Sequence, residues 1–221
     1  VTIRNAASMG TYGATWTSRG YAGTGNVAHL IGTLEGRVAI VAGSARGVFA
    51  EVEDVKRQLV EAPVVFAVNE VGIYMSDAEH WISLHADNLG VWRAARWLHP
   101  RPTDPQIHSV DMRPHIQHIW SNLTPCFALS GYFAMQIAYI MGASQIILCG
   151  CPGMPWPRFF EACPRPDFGY GLGTNGNDEG TRQQLEHEMK RLPDFKAVVR
   201  STRGWTHNFF GGPEQWQHSQ R

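Results

Sequence analysis

The sequence predicts an α/β protein: a doubly wound, mostly parallel sheet with a long C-terminal loop or lid insertion. Three observations point there. Short runs rich in apolar residues, several of them β-branched, recur from Arg37 to Gly43, Val64 to Val68, His80 to Leu84 and Gln145 to Gly150, as strands covered on both faces require. Helical stretches separate them, and that alternation is the signature of parallel βαβ units. The first run ends in a glycine turn, Gly43-Ser44-Ala45-Arg46-Gly47.

A chain of 221 residues can bury one substantial core, so a single domain over residues 27–210 is expected, with its core at 37–152. Residues 1–26 are crowded with Gly, Ser, Thr and Tyr and lack periodicity, which reads as an extended arm suited to homo-oligomer contacts. Residues 211–221 read as a polar tail. The 19 basic and 19 acidic side chains cancel, so there is no long-range field of the kind nucleic-acid or anionic-membrane binders carry. No apolar run approaches the roughly 20 residues that span a bilayer, and no basic-then-apolar leader is visible, so a cytoplasmic location is expected. The four cysteines, Cys126, Cys149, Cys151 and Cys163, read as reduced thiols rather than a zinc site, because C-x-C lacks a second ligand pair.

Taken in order, Val27 to Leu34 suggests a short helix stopped by Gly36, and Arg37 to Gly43 the first central strand. Glu51 to Glu61 sets Val52, Val55, Leu59 and Val60 on one face, which predicts an amphipathic helix. Val64 to Val68 is a buried strand ending at Asn69, and His80 to Leu84 another ending at His85. Gly90 to Leu98 predicts a helix, with Trp92, Ala95 and Trp97 as its bulk, ended by prolines at 100–105. Gln106 to Val110 suggests a short strand, and His115 to Trp120 an irregular stretch in which His115 and His118 read as surface histidines. Ser130 to Met141 is a buried helix feeding the strand Gln145 to Gly150. Residues 153–178 read as a loop or lid, Glu179 to Leu192 as a charged helix and Phe195 to Arg200 as a last strand.

In open parallel sheets ligands bind beyond the carboxyl ends of the strands, so the residues following each strand are the candidates. Gly43, Ser44, Arg46 and Gly47 offer unobstructed amides, a hydroxyl and a guanidinium to a phosphate at a helix start; the plainer reading is a tight strand-to-helix turn. His85 is the first candidate general base, with Asp87 near enough in sequence to orient it, against a strand-end histidine satisfied by backbone. His207 is the second, beside Arg200, Arg203 and Trp205, which could neutralise a phosphate and stack on a ring; the alternative is a solvated turn anchored by tryptophan. The first turn is similar to the cofactor loop of short-chain dehydrogenases, but Phe49 stands where that family needs glycine, and Tyr132 is followed at 136 by Gln rather than Lys. No Asp-x-Asp pair follows a strand, so a bound metal is not expected and Mg²⁺ dependence is disfavoured.

The succession Val41 to Ser44, Ala67 to Asn69, Ala78 to His85, Ser130-Gly131 and Gly142 to Gly150 resembles that of a Rossmann-like superfamily. It includes the bacterial sialyltransferase-like glycosyltransferases, the 6-hydroxymethylpterin diphosphokinase-like family and related phage proteins. The resemblance covers about half the chain. It implies a nucleotide diphosphate against the Gly43 turn, Asn69 on phosphate or ribose, and Ser130 and Gly131 presenting a hydroxyl and amides. Cys151 stands where many relatives carry an acidic residue, which points away from metal-assisted phosphoryl transfer. The activity implied first is a nucleotide-sugar-dependent transferase with a small-molecule nucleotide substrate and no covalently bound cofactor. In it Arg46 and Arg203 hold the leaving diphosphate. The rivals are a Mg²⁺-dependent diphosphokinase and a catalytically silent binding or assembly protein, located in a virion if phage-encoded.

Overall fold

The computed structural model describes residues 27–99, 104–120, 123, 129–153 and 179–217; the expected arm and most of the expected lid lie outside them. Seven strands are formed: Val38–Ala42 (β1), Val64–Val68 (β2), His80–Ile82 (β3), Gln106–Ser109 (β4), His118–Ile119 (β5), Gln145–Cys149 (β6) and Val199–Ser201 (β7). They make one sheet ordered β5-β4-β3-β2-β1-β6-β7, and every pairing between them is parallel. The chain builds outward from β1 to β5, then crosses back to β6 on the other side of β1. The doubly wound Rossmann-like architecture follows, with its switch point between β1 and β6.

Helices Val48–Gln58 (α1), Val71–Tyr74 (α2) and Ala86–Arg96 (α3) follow β1, β2 and β3, and Ser130–Ile140 (α4) precedes β6. Beyond it come Glu179–Arg191 (α5), Pro193–Ala197 (α6), Gly204–Phe210 (α7) and Glu214–Gln217 (α8). Alternation along the strands feeds two cores, one on each sheet face. Ile40, Ala42, Val65, Ala67, Trp81 and Ile147 pack with Val48, Val52 and Val55 of α1 and Leu89 of α3. Val41, Phe66, Ile82 and Leu148 pack with Phe133 and Ile137 of α4, Leu185 and Met189 of α5 and Phe195 of α6. α4 carries no charged residue because both its neighbours, sheet and helices, are apolar.

Several elements differ from expectation. Residues 27–34 give only a 3-10 turn at Ala28–Leu30. The first helix begins at Val48 and ends at Gln58, so Val60 is fully exposed rather than on its apolar face. The next long helix begins at Ala86, and Trp97 points to solvent at its end. His115 to Trp120 is not irregular throughout, since His118–Ile119 adds an edge strand. Phe195 to Ala197 is helical, because Pro193 opens α6 and Phe195 turns into the core, leaving a strand of three residues. The expected tail contains α8, and the amide of Ser201 donates to the carbonyl of Gly211. Among the described residues no helix is long and apolar enough to cross a membrane.

Candidate functional site

Asn69 follows β2 with φ 54°, the one non-glycine residue at positive φ among the described residues. Asn tolerates that left-handed conformation better than most residues. Its amide donates to the Ile82 carbonyl (3.0 Å) and its carbonyl accepts from the Trp81 indole N–H (2.6 Å). The side chain is fixed as well: the Ser83 hydroxyl donates to Asn69 Oδ1 (2.7 Å) while accepting the amide of His85 (2.9 Å). Ser109, at the end of β4, donates to the Ser83 carbonyl (2.8 Å). Ser130, buried at the start of α4, accepts from the amide of Leu84 (3.3 Å). One hydrogen-bonded cluster thus joins the carboxyl ends of β2, β3 and β4 to the N-terminus of α4. His85 stands on its rim with an exposed ring. Asp87 does not serve it: its carboxylate meets Arg113 Nε at 2.6 Å, and that hydrogen bond holds the carboxyl below the usual carboxylate range.

The glycine turn lies beside this cluster and is tightly closed against β6. The amide of Gly43 donates to the Cys149 carbonyl (2.8 Å) and that of Ala45 to the Gly150 carbonyl (3.1 Å). A Cβ on Gly43 would stand 2.4 Å from Cys151 Sγ and 2.5 Å from the Gly150 oxygen. Glycine at 43 is therefore required by the approach of two backbones. A Cβ on Gly131 would meet the same sulfur at an ordinary 3.5 Å, so Gly43 and Gly131 face each other across Cys151. Burial, with the Glu51 charge adding to it, pushes the Cys151 thiol up to about 12. It is a protonated packing group there rather than a nucleophile. Among the described residues Cys149 and Cys151 are free thiols. No group of three or more His, Cys, Asp or Glu able to hold a metal occurs among them.

On the other side of the switch point the structure places an anion of its own. Glu51, in the first turn of α1 and 7% exposed, accepts from the amide of Gly150 at Oε2 (2.9 Å) and from the Thr202 hydroxyl. Its Oε1 pairs with Arg203. Arg203 also donates to the Arg46 carbonyl (3.0 Å), and its guanidinium lies 3.1 Å from where a Cβ on Gly47 would sit. A backbone amide, a hydroxyl and a guanidinium are donors of the kind that receive a phosphate at a Rossmann-like switch point. Here they receive a carboxylate. Ser44 is half-buried, and Arg46 is exposed at the turn.

Beyond Arg203 a cleft of about 450 Å³ is lined by Arg182, Thr202, Arg203, Gly204, Trp205, His207 and Asn208. Trp205 stacks on Phe209 with ring centroids 5.0 Å apart, and His207 Nε2 lies 3.9 Å from Glu214. The segment 204–210 is a helix, not the open turn read from the sequence. His85 and His207 follow β3 and β7, four strand spacings apart in the sheet order, or roughly 19 Å at about 4.8 Å per strand. They cannot serve one reacting atom.

The sequence candidates therefore fall into two groups. Asn69, His85, Ser130 and Gly131 gather with Gly43 around the start of α4, while Arg46, Gly47, Arg203 and His207 lie toward β7. Ser83, Ser109, Glu51 and Thr202, which organise these groups, were not among the sequence candidates. No protein-family model matches the chain, and no curated protein or solved structure matches it.

Proposed function

We propose that this chain is a nucleotide-dependent transferase of glycosyltransferase type that uses a nucleotide sugar at the carboxyl edge of the sheet. The observation that carries the reading is the Asn69–Ser83–His85–Ser130 cluster, which joins the ends of β2 and β3 to the start of α4. Because the Ser83 proton goes to Asn69 Oδ1, the Asn69 amide nitrogen remains to donate to phosphate or ribose oxygens. The diphosphate lies against Ser44 and Arg46 at the N-terminus of α1. Arg203 stands behind that turn, its charge matched by Glu51.

In the proposed reaction His85 takes the proton of an acceptor hydroxyl. The acceptor oxygen attacks the anomeric carbon as the bond to the diphosphate oxygen breaks, and the electron pair leaves with the diphosphate. Stabilising that leaving charge supplies most of the rate enhancement. His207, about four strands away, is outside this step.

One observation favours a second reading, a catalytically silent binding or assembly protein. The donors of the switch point are already satisfied by Glu51, and a fold alone does not make an enzyme.

Thermal-shift measurements with CMP, UDP, GDP, ATP and their sugar conjugates, with and without Mg²⁺, separate these readings. Stabilisation by a nucleotide sugar without metal, together with turnover abolished in His85→Ala at unchanged affinity, is the expected result. Stabilisation by ATP only with Mg²⁺ would indicate diphosphokinase chemistry. No response to any nucleotide would leave the silent reading.

A further inference from the structure

On the α4 face of the sheet, three neighbouring strands place histidines against one another. His80 of β3 and His108 of β4 lie two residues apart in register on one face of the sheet, and His108 pairs directly with His118 of β5. His80 Nδ1 is 2.9 Å from His108 Nε2, and the Trp120 indole nitrogen is 3.0 Å from His108 Nδ1. The His118 ring lies 4.6 Å from that of His108, and His29 of the 3-10 turn 5.5 Å from that of His118. Trp120 and His108 are wholly buried, and His80 is 5% exposed.

This chain of bonds can run in one direction only. An indole N–H donates and cannot accept, so His108 Nδ1 carries the lone pair. Neutral His108 then holds its proton on Nε2 and donates to His80 Nδ1. A proton added to either accepting nitrogen would set donor against donor, and the tautomer shift that could relieve it is blocked by Trp120. Among the described residues no carboxylate acts on the ladder. The charges felt by the ladder come from His118, Arg37 and His29, all cationic or able to become so. β2 contributes Phe66, stacked on His80 at 4.5 Å. α4 has no charged residue, and its two tyrosines lie against Phe195.

The strand so fastened is a short one at the end of the sheet. β5 is two residues long and pairs with β4 only through His108↔His118 and Ser109↔Ile119. Beyond those pairs, the amides of Trp120 and Gln117 donate to the carbonyls of Ser109 and Ile107, the amide of Ile107 donates to Gln117 Oε1 (2.6 Å), and His118 Nε2 meets Gln106 Oε1 (3.1 Å).

We propose that Trp120, His108, His80 and His118 form an acid-labile clasp that fastens the β4–β5 edge of the sheet, and that acidification opens this edge before the central strands. Because Ser109 bonds the Ser83 carbonyl, opening also loosens the cluster around Asn69. Burial drives the direction: His80 is pushed down to about 4 and His108 and His118 are lowered. Protons are thus taken up on opening as pH falls below the ordinary histidine value near 6.5.

Hydrogen-exchange protection of the whole chain, followed by NMR from pH 7.5 to 4.5, tests the clasp. Protection factors for the Trp120 and Gln117 amides should fall about tenfold per pH unit below 6.5 and stay well below those of Ile40 and Ile147 in β1 and β6, which are lost only on global unfolding. His108→Gln retains an acceptor and a donor but cannot take a proton, and should reduce the slope at the edge. Should that variant fail to fold, His118→Gln at the half-buried position should reduce it as well. Edge protection that is constant with pH, that equals that of Ile40 and Ile147 throughout, or that keeps its slope in the folded variants would overturn the proposal.

Discussion

Glu51 shows how one side chain can decide what a binding-fold edge has left to offer. Its carboxylate gathers the Gly150 amide, the Thr202 hydroxyl and the Arg203 guanidinium. Removing one member of a buried ion pair leaves the others desolvated and unmatched, which costs more than the pair itself contributes. Glu51→Ala is therefore expected to lose about 3 kcal/mol of stability. Glu51→Gln keeps an acceptor for Gly150 and Thr202, and loses less. Urea unfolding at pH 7 measures both, and equal losses would show that charge, not hydrogen bonding, dominates. Nothing local in the sequence marks Glu51 as internal. It sits among other acids on an amphipathic helix, and its partners lie 99 and 151 residues further on. Ser83 is similarly hidden, because its role depends on Asn69 and Ser109 at the ends of the two neighbouring strands.

Elements were legible where their periodicity is local and long enough. β2 falls at Val64–Val68 as expected, and α4 and α5 begin at the expected residues. Short elements were not: the two residues of β5 and four of α2 carry too little pattern to be seen. Strand ends were legible as candidate positions, because a parallel sheet puts them on one edge whatever its strand order. The spacing between β1 and β6 was not, since it arises from pairing across 107 residues of chain. That spacing makes two glycines respond oppositely to one methyl group. Gly43→Ala must push β1 and β6 apart against backbone and sulfur at 2.4–2.5 Å, a loss of about 3 kcal/mol. Gly131→Ala meets only the 3.5 Å contact inside a helix, and should remain within about 0.5 kcal/mol of the parent chain. Melting curves that rank the two together would mean that the β1–β6 contact yields easily.

Across the whole molecule the ionisable groups that matter for stability are the buried ones, since 19 positive and 19 negative side chains leave no net field. Two buried sets lie on opposite sides of neutrality. The histidines of β3 to β5 are held neutral, with His80 lowered to about 4 by burial first and by His118 and Arg37 next. A base with a depressed folded value gives its full stability above the unfolded value near 6.5, and loses it as pH falls toward 4. The thiols beside the switch point act in the reverse direction. Cys151 is half-exposed as a residue, but its sulfur is enclosed by Gly43 and Gly131, and burial raises it to about 12, with Cys149 raised too. An acid with a raised folded value gives its full stability below the unfolded value of 9.0 and loses it as pH climbs toward 12. Stability should therefore form a plateau between about pH 6.5 and 9, falling by about 1.4 kcal/mol per pH unit for each proton exchanged on either side. Urea unfolding at intervals from pH 4.5 to 10.5 tests the shape. Cys151→Ala should reduce the slope of the alkaline limb, leaving the share of Cys149, while the acid limb stays intact, because the thiols and the histidine ladder are separated by β1 and β2 in the sheet. A single maximum that moves as a whole in that variant would show the two sets to be coupled.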